Sequence, residues 1–120
     1  MTTVYKIVAI KPRGRKVSAV VHDTPIEVVY HKGRQVKRAL CFDTLDHAAA
    51  WRRIASETSK YPLELWKAHA EMTTPCPGVW YYNRPLQIMD FINTGAGPFG
   101  PVPAPEGTMH CLRVTLVEQM

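Results

Sequence analysis

The chain has 120 residues, 46% apolar and 21% charged, with a net charge of +5. That length supports a single domain over residues 1–120, and the composition excludes a disordered or collagen-like chain. No apolar run reaches the roughly 18–20 residues a membrane helix needs, so the sequence points away from a membrane partner.

Residues 3–11 are rich in β-branched and aromatic side chains and predict a first strand, closed by a turn at Pro12-Arg13-Gly14-Arg15. Residues 17–22 predict a second strand, broken at Asp23-Thr24-Pro25, and residues 26–31 a third, turned at Lys32-Gly33-Arg34. Residues 36–42 alternate in side-chain character and predict a fourth. Four short strands in series suggest an antiparallel meander. Asp43-Thr44 offers an N-cap, and residues 44–57 predict a helix whose stripe is Leu45, Ala48, Trp51 and Ala55. Its small alanines let it lie close to a sheet. Residues 63–70 read as a strand or a short helix, and residues 108–117 as a closing strand that ties down the terminus. Residues 93–106 hold three glycines and four prolines, a long loop suited to a lid or a subunit-bridging arm. The expected fold class is therefore α+β: a mainly antiparallel sheet with one helix on a face and a Pro/Gly-rich C-terminal loop region.

Charge is unevenly spread. Residues 1–60 carry twelve Lys/Arg against five Asp/Glu, and residues 61–120 three against five. A basic N-terminal half favours anionic partners. In a meander, the 12–15 turn and the 32–34 turn fall at the same end of the sheet. Arg13, Arg15, Lys32 and Arg34, with Lys11, Lys16 and Lys37 nearby, then form an electropositive rim able to hold phosphate bidentately. A second cluster, Trp80-Tyr81-Tyr82-Asn83-Arg84, supplies aromatic faces for a base, with Tyr81 or Tyr82 stacking and Arg84 assisting.

The three cysteines, Cys41, Cys76 and Cys111, are odd in number and lack C-x-x-C spacing. Together with the absence of a signal-peptide pattern, they favour reduced thiols and the cytoplasm. The five histidines are scattered, so no metal site is expected. No G-x-S-x-G or H-E-x-x-H occurs, and Ser56-Glu57-Thr58-Ser59 reads as helix-end polarity rather than a catalytic group. No cofactor is implied. The G-x-G at 95–97 lacks the rest of a dinucleotide fingerprint.

The order of several segments resembles a family of small bacteriophage and prophage proteins. The segments are Val4-Tyr5-Lys6-Ile7-Val8, Ser18-Ala19, Val29-Tyr30-His31-Lys32-Gly33, Cys41-Phe42-Asp43-Thr44-Leu45-Asp46-His47-Ala48, Leu65-Trp66-Lys67-Ala68 and Pro105-Glu106-Gly107-Thr108. The resemblance implies a phage accessory protein that antagonises host defence, in the host-cell cytoplasm, and it carries over no site residues. Combined with the basic rim, it leads to a non-enzymatic protein that sequesters a small anionic ligand, a nucleotide or cyclic nucleotide immune signal, between subunits of a homo-oligomer built through residues 80–106. The alternatives are an inhibitor that binds a host defence protein, in the manner of an anti-CRISPR, and a small ADP-ribosyltransferase-like enzyme. A nucleic-acid-binding module ranks below these.

Overall fold

The computed structural model describes residues 1–18, 21–22, 29–57, 59–76, 78–81, 102–103 and 105–120, with backbone alone at 21–22, 78–81 and 102–103. The strands are β1 (Thr2–Lys11), β2 (Arg15–Ser18), β3 (Val21–His22), β4 (Val29–Tyr30), β5 (Gln35–Phe42), β6 (Leu63–Pro75), β7 (Gly78–Tyr81), β8 (Val102–Pro103) and β9 (Thr108–Gln119). One helix, α1 (Leu45–Ser56), joins β5 to β6. The α+β class with a mainly antiparallel sheet is what the structure shows.

The meander holds only for its first three members. β1 pairs β2 and β2 pairs β4, as expected. The fourth strand, β5, does not return to β4. It pairs instead with β9, from Gln35↔Thr115 to Phe42↔Thr108. The physical reason is length and burial: among the described residues β4 offers Val29 and Tyr30 to a neighbour, whereas β9 offers a long ladder that buries Ala39 and Cys41 against Cys111 and Val114. The expected second strand is also divided. Residues 15–18 stay in the main sheet, while Val21 and His22 pair Tyr81 and Trp80 in a small second sheet with β7 and β8.

β6 resolves the ambiguity at 63–70 in favour of a strand. It pairs β1 from Leu63↔Ala9 to Ala70↔Thr2 and β9 on its other edge. Trp66, Ala68 and Ala70 bury one face of it, and Leu65 the other. A strand apolar on both faces loses the alternation that would have marked it.

The main sheet closes on itself. β1 pairs β6, β6 pairs β9, β9 pairs β5, and β5 comes back to β1 through the single pair Tyr5↔Phe42. Beyond that pair β1 and β5 diverge, because β1 turns its edge to β2 from Val8 onward. The interior is lined by Val4, Val8, Tyr30, Ala39, Cys41, Trp66, Ala68, Cys111, Val114 and Leu116. Lys6 lies in the fork, 3% exposed, and its Nζ donates to the Leu40 carbonyl at 2.8 Å and sits 5.4 Å from the centre of the Tyr30 ring. The ammonium thus reaches across the seam to a carbonyl on the strand from which β1 has parted. Ser18 Oγ and the Tyr30 hydroxyl share a 3.1 Å hydrogen bond in the same fork.

Helix α1 covers the outer face. Thr44 caps it, accepting from the His47 amide at 3.2 Å. Ala48 is fully buried against Ile7, Phe42 and Leu65, and Trp51 lies 5.7 Å from Phe42, centre to centre. Leu45, read as part of the buried stripe, is 37% exposed, so the contact face begins one turn later. Among the described residues, no helix is long and apolar enough to cross a membrane.

Candidate functional site at the basic end

The register decides where the charged turns lie. Lys16 pairs Tyr30 and Val17 pairs Val29, so the chain leaving β4 runs past Arg15 toward the 12–14 turn. The 31–34 turn, closed by a 3.0 Å bond from the Arg34 amide to the His31 carbonyl, therefore sits at the same end of the sheet as the 12–14 turn. Its Gly33 amide also donates to Leu116 at 2.9 Å, which fixes it over the end of β9. Arg13, Arg15, Lys32 and Arg34 are all exposed there. Arg13 itself has φ +69°, a left-handed conformation at the centre of the three-residue turn Pro12–Gly14.

Two residues that the sequence reading passed over belong to this end. The Ile10 amide donates to the Pro62 carbonyl at 2.9 Å, which brings the 59–62 segment alongside the end of β1. Tyr61 then lies between two cations, with Lys11 Nζ 5.7 Å and Lys60 Nζ 5.6 Å from its ring centre. Lys16 Nζ is 5.7 Å from the Trp66 ring, whose Nε1 donates to Glu64 at 3.0 Å. The signal in the sequence was Lys60-Tyr61-Pro62, a cation and an aromatic before a helix-ending proline.

The opposite end is acidic. Asp43 and Asp46 follow β5, and Glu106 precedes β9. There His47 Nδ1 donates to Asp43 Oδ1 at 2.6 Å, and its Nε2 is 3.7 Å from Glu106 Oε1. The Asp43 hydrogen bond and the surrounding carboxylates raise the His47 pKa above its ordinary value.

The other expected site residues fall on the small sheet or beyond the described residues. Tyr81 pairs Val21 in the small sheet, while Tyr82, Arg84 and residues 93–101 lie outside the described residues. Ser56 Oγ donates to the Arg52 carbonyl at 2.7 Å, a bond internal to the helix. Lys37 stands away from the rim, in a groove of about 390 Å³ with Arg38, Glu71, Met72, Leu112 and Arg113. Arg113 has φ +54° and binds Glu71 at 2.7 Å. A smaller cavity of about 20 Å³ lies under α1, lined by Lys6, Cys41, Phe42, Trp51, Pro105 and Thr108 among others. Cys41 and Cys111 are both buried thiols, and a hydrogen bond with Cys41 and the Lys6 charge hold the Cys111 thiol below its ordinary pKa, against burial. Among the described residues no group of three His, Cys, Asp or Glu side chains is placed to hold a metal ion.

A small α+β protein with a closed antiparallel sheet and oppositely charged ends is the class these observations define. Compared with protein families, curated proteins and solved structures, the chain matches none.

Proposed function

We propose that this chain is a binding protein that captures a small phosphate-bearing anion at its basic end. The observation that carries the reading is the β2–β4 register, with Lys16 opposite Tyr30, which brings the two arginine-bearing turns to one end of the sheet. Arg13 and Arg34 suit phosphate because a guanidinium presents two parallel N–H groups to two phosphoryl oxygens. Tyr61, beside Lys11 and Lys60, adds an aromatic surface for a base, so a nucleotide or cyclic nucleotide fits better than inorganic phosphate. Capture requires affinity and no bond-making, which suits a site composed of cations and an aromatic ring. With the resemblance to phage proteins, the ligand becomes a nucleotide immune signal and the role its sequestration from a host defence protein.

Calorimetry with cyclic dinucleotides, ADP-ribose and inorganic phosphate tests this. The double substitution Arg13→Glu, Arg34→Glu alters two exposed turn residues and leaves the core intact. It is expected to weaken nucleotide binding at least about tenfold, since a charge-assisted hydrogen bond contributes about 1.5–3 kcal/mol. Undiminished affinity in the double variant, or heat from none of the three ligand classes, overturns the reading.

A further inference from the structure

We propose that Cys41, Cys111 and Met109 form a binding site for a single soft monovalent metal ion, copper(I) in its chemistry, in the wall of the closed sheet. Cys41 stands directly opposite Met109 in the β5–β9 ladder, and Cys111 stands two residues beyond Met109 on the same strand. Cys41 and Cys111 belong to the interior cluster and the partly buried Met109 packs against it, so the three sulfur-bearing side chains share one patch of wall. Cys111 stands diagonal to Cys41 on the same face of the ladder, and its sulfur donates to the Met109 carbonyl at 3.7 Å. Cys41 is 1% exposed and Cys111 fully buried.

The donor set selects the ion. Thiolate and thioether sulfur favour copper(I) and its congeners over the harder divalent ions. No group of His, Cys, Asp and Glu among the described residues completes a higher-coordinate site. A d¹⁰ monovalent ion accepts two or three sulfurs and needs no more.

Charge balance points the same way. Two thiolates and one monovalent cation sum to −1. The Lys6 ammonium is buried close enough to act on Cys111, and among the described residues no carboxylate pairs with it. Burying an ammonium is costly, and a metal–dithiolate unit places a negative charge beside it. Loading breaks two S–H bonds, forms two metal–thiolate bonds and one metal–thioether bond, and releases two protons to solvent, with no change in oxidation state.

Silver(I), stable in air, is the probe, added to the full chain and followed by native mass spectrometry and thermal unfolding. The expected result is one silver ion per chain and a raised melting temperature, both retained in Cys76→Ser and both lost in Cys41→Ala and Cys111→Ala. Lys6→Met is expected to weaken binding by about 10–100-fold, the usual effect of removing an outer partner of a metal site. Should the core variants fail to fold, two readouts remain. Met109→Leu keeps the volume and is expected to weaken binding. In the wild-type chain, bound silver is expected to leave Cys76 alone open to alkylation in mild denaturant. Silver bound equally by Cys41→Ala, affinity unchanged in Met109→Leu, or no rise in melting temperature of the wild-type chain overturns the site.

Discussion

Gly14 and Gly107 take nearly the same backbone conformation, φ +73° and +85°, in very different surroundings. A Cβ on Gly14 meets nothing within 4 Å, whereas one on Gly107 runs into Asp43 Oδ1 and the His47 ring. Gly14→Ala therefore carries only the left-handed backbone penalty of about 1–2 kcal/mol. Gly107→Ala adds displacement of a hydrogen-bonded pair and is expected to cost about 3 kcal/mol or more. Urea unfolding of the two variants gives the comparison, and equal losses would show that the Asp43–His47 pair moves aside freely. At this scale the sequence was partly legible. Arginines and glycines in short turns announce themselves by type, so Arg13 and Arg34 were visible as candidates. Lys6 was not, because nothing near it in sequence says that its amine crosses to Leu40, thirty-four residues away.

At the scale of elements, helix α1 was read almost to its ends because its signals are local: Thr44 as cap, Asp46 in the first turn, alanines on the sheet side. Strand order was not, because it depends on which edge finds the longer partner, and β9 lies far from β5 in the chain. The helix start is latched to the 105–108 turn. The Asp43 amide donates to the Gly107 carbonyl at 2.9 Å, and His47 faces both Asp43 and Glu106. Because the folded pKa of His47 is raised, protonation favours the folded state. That contribution is fully present below the unfolded pKa of about 6.5 and disappears as pH rises through the raised folded value. Melting temperatures of wild type and His47→Gln, measured from pH 5 to 9, are expected to differ most at the acidic end and to converge at the alkaline end. A gap that stays constant with pH would assign the contact to packing alone.

Over the whole molecule, the split between a basic first half and an acidic second half becomes a split between two ends of the sheet. Folding brings Lys60 to join Arg13 and Arg34, and carries Asp43 and Asp46 from the basic half to the acidic pole beside Glu106. Protection is also uneven around the ring. β6 is hydrogen-bonded on both edges, to β1 and β9, while among the described residues β5 has β9 on one side and only Phe42 paired on the other. Amide hydrogen exchange is expected to be slowest at residues 65–70 and distinctly faster over residues 35–41. Equal protection of the two strands would mean that β5 gains a second neighbour in solution.

That unevenness makes the ring a hoop with one clasp. Tyr5 and Phe42 supply its only backbone fastening among the described residues, and the Lys6 amine acts as a pin beside it. Unfastening that clasp leaves β1 held by β6 and β5 held by β9, so the hoop can spring open without unravelling. The gap it leaves opens beside Cys41, one residue from Phe42 on β5, so that buried thiol is the first that solvent would reach.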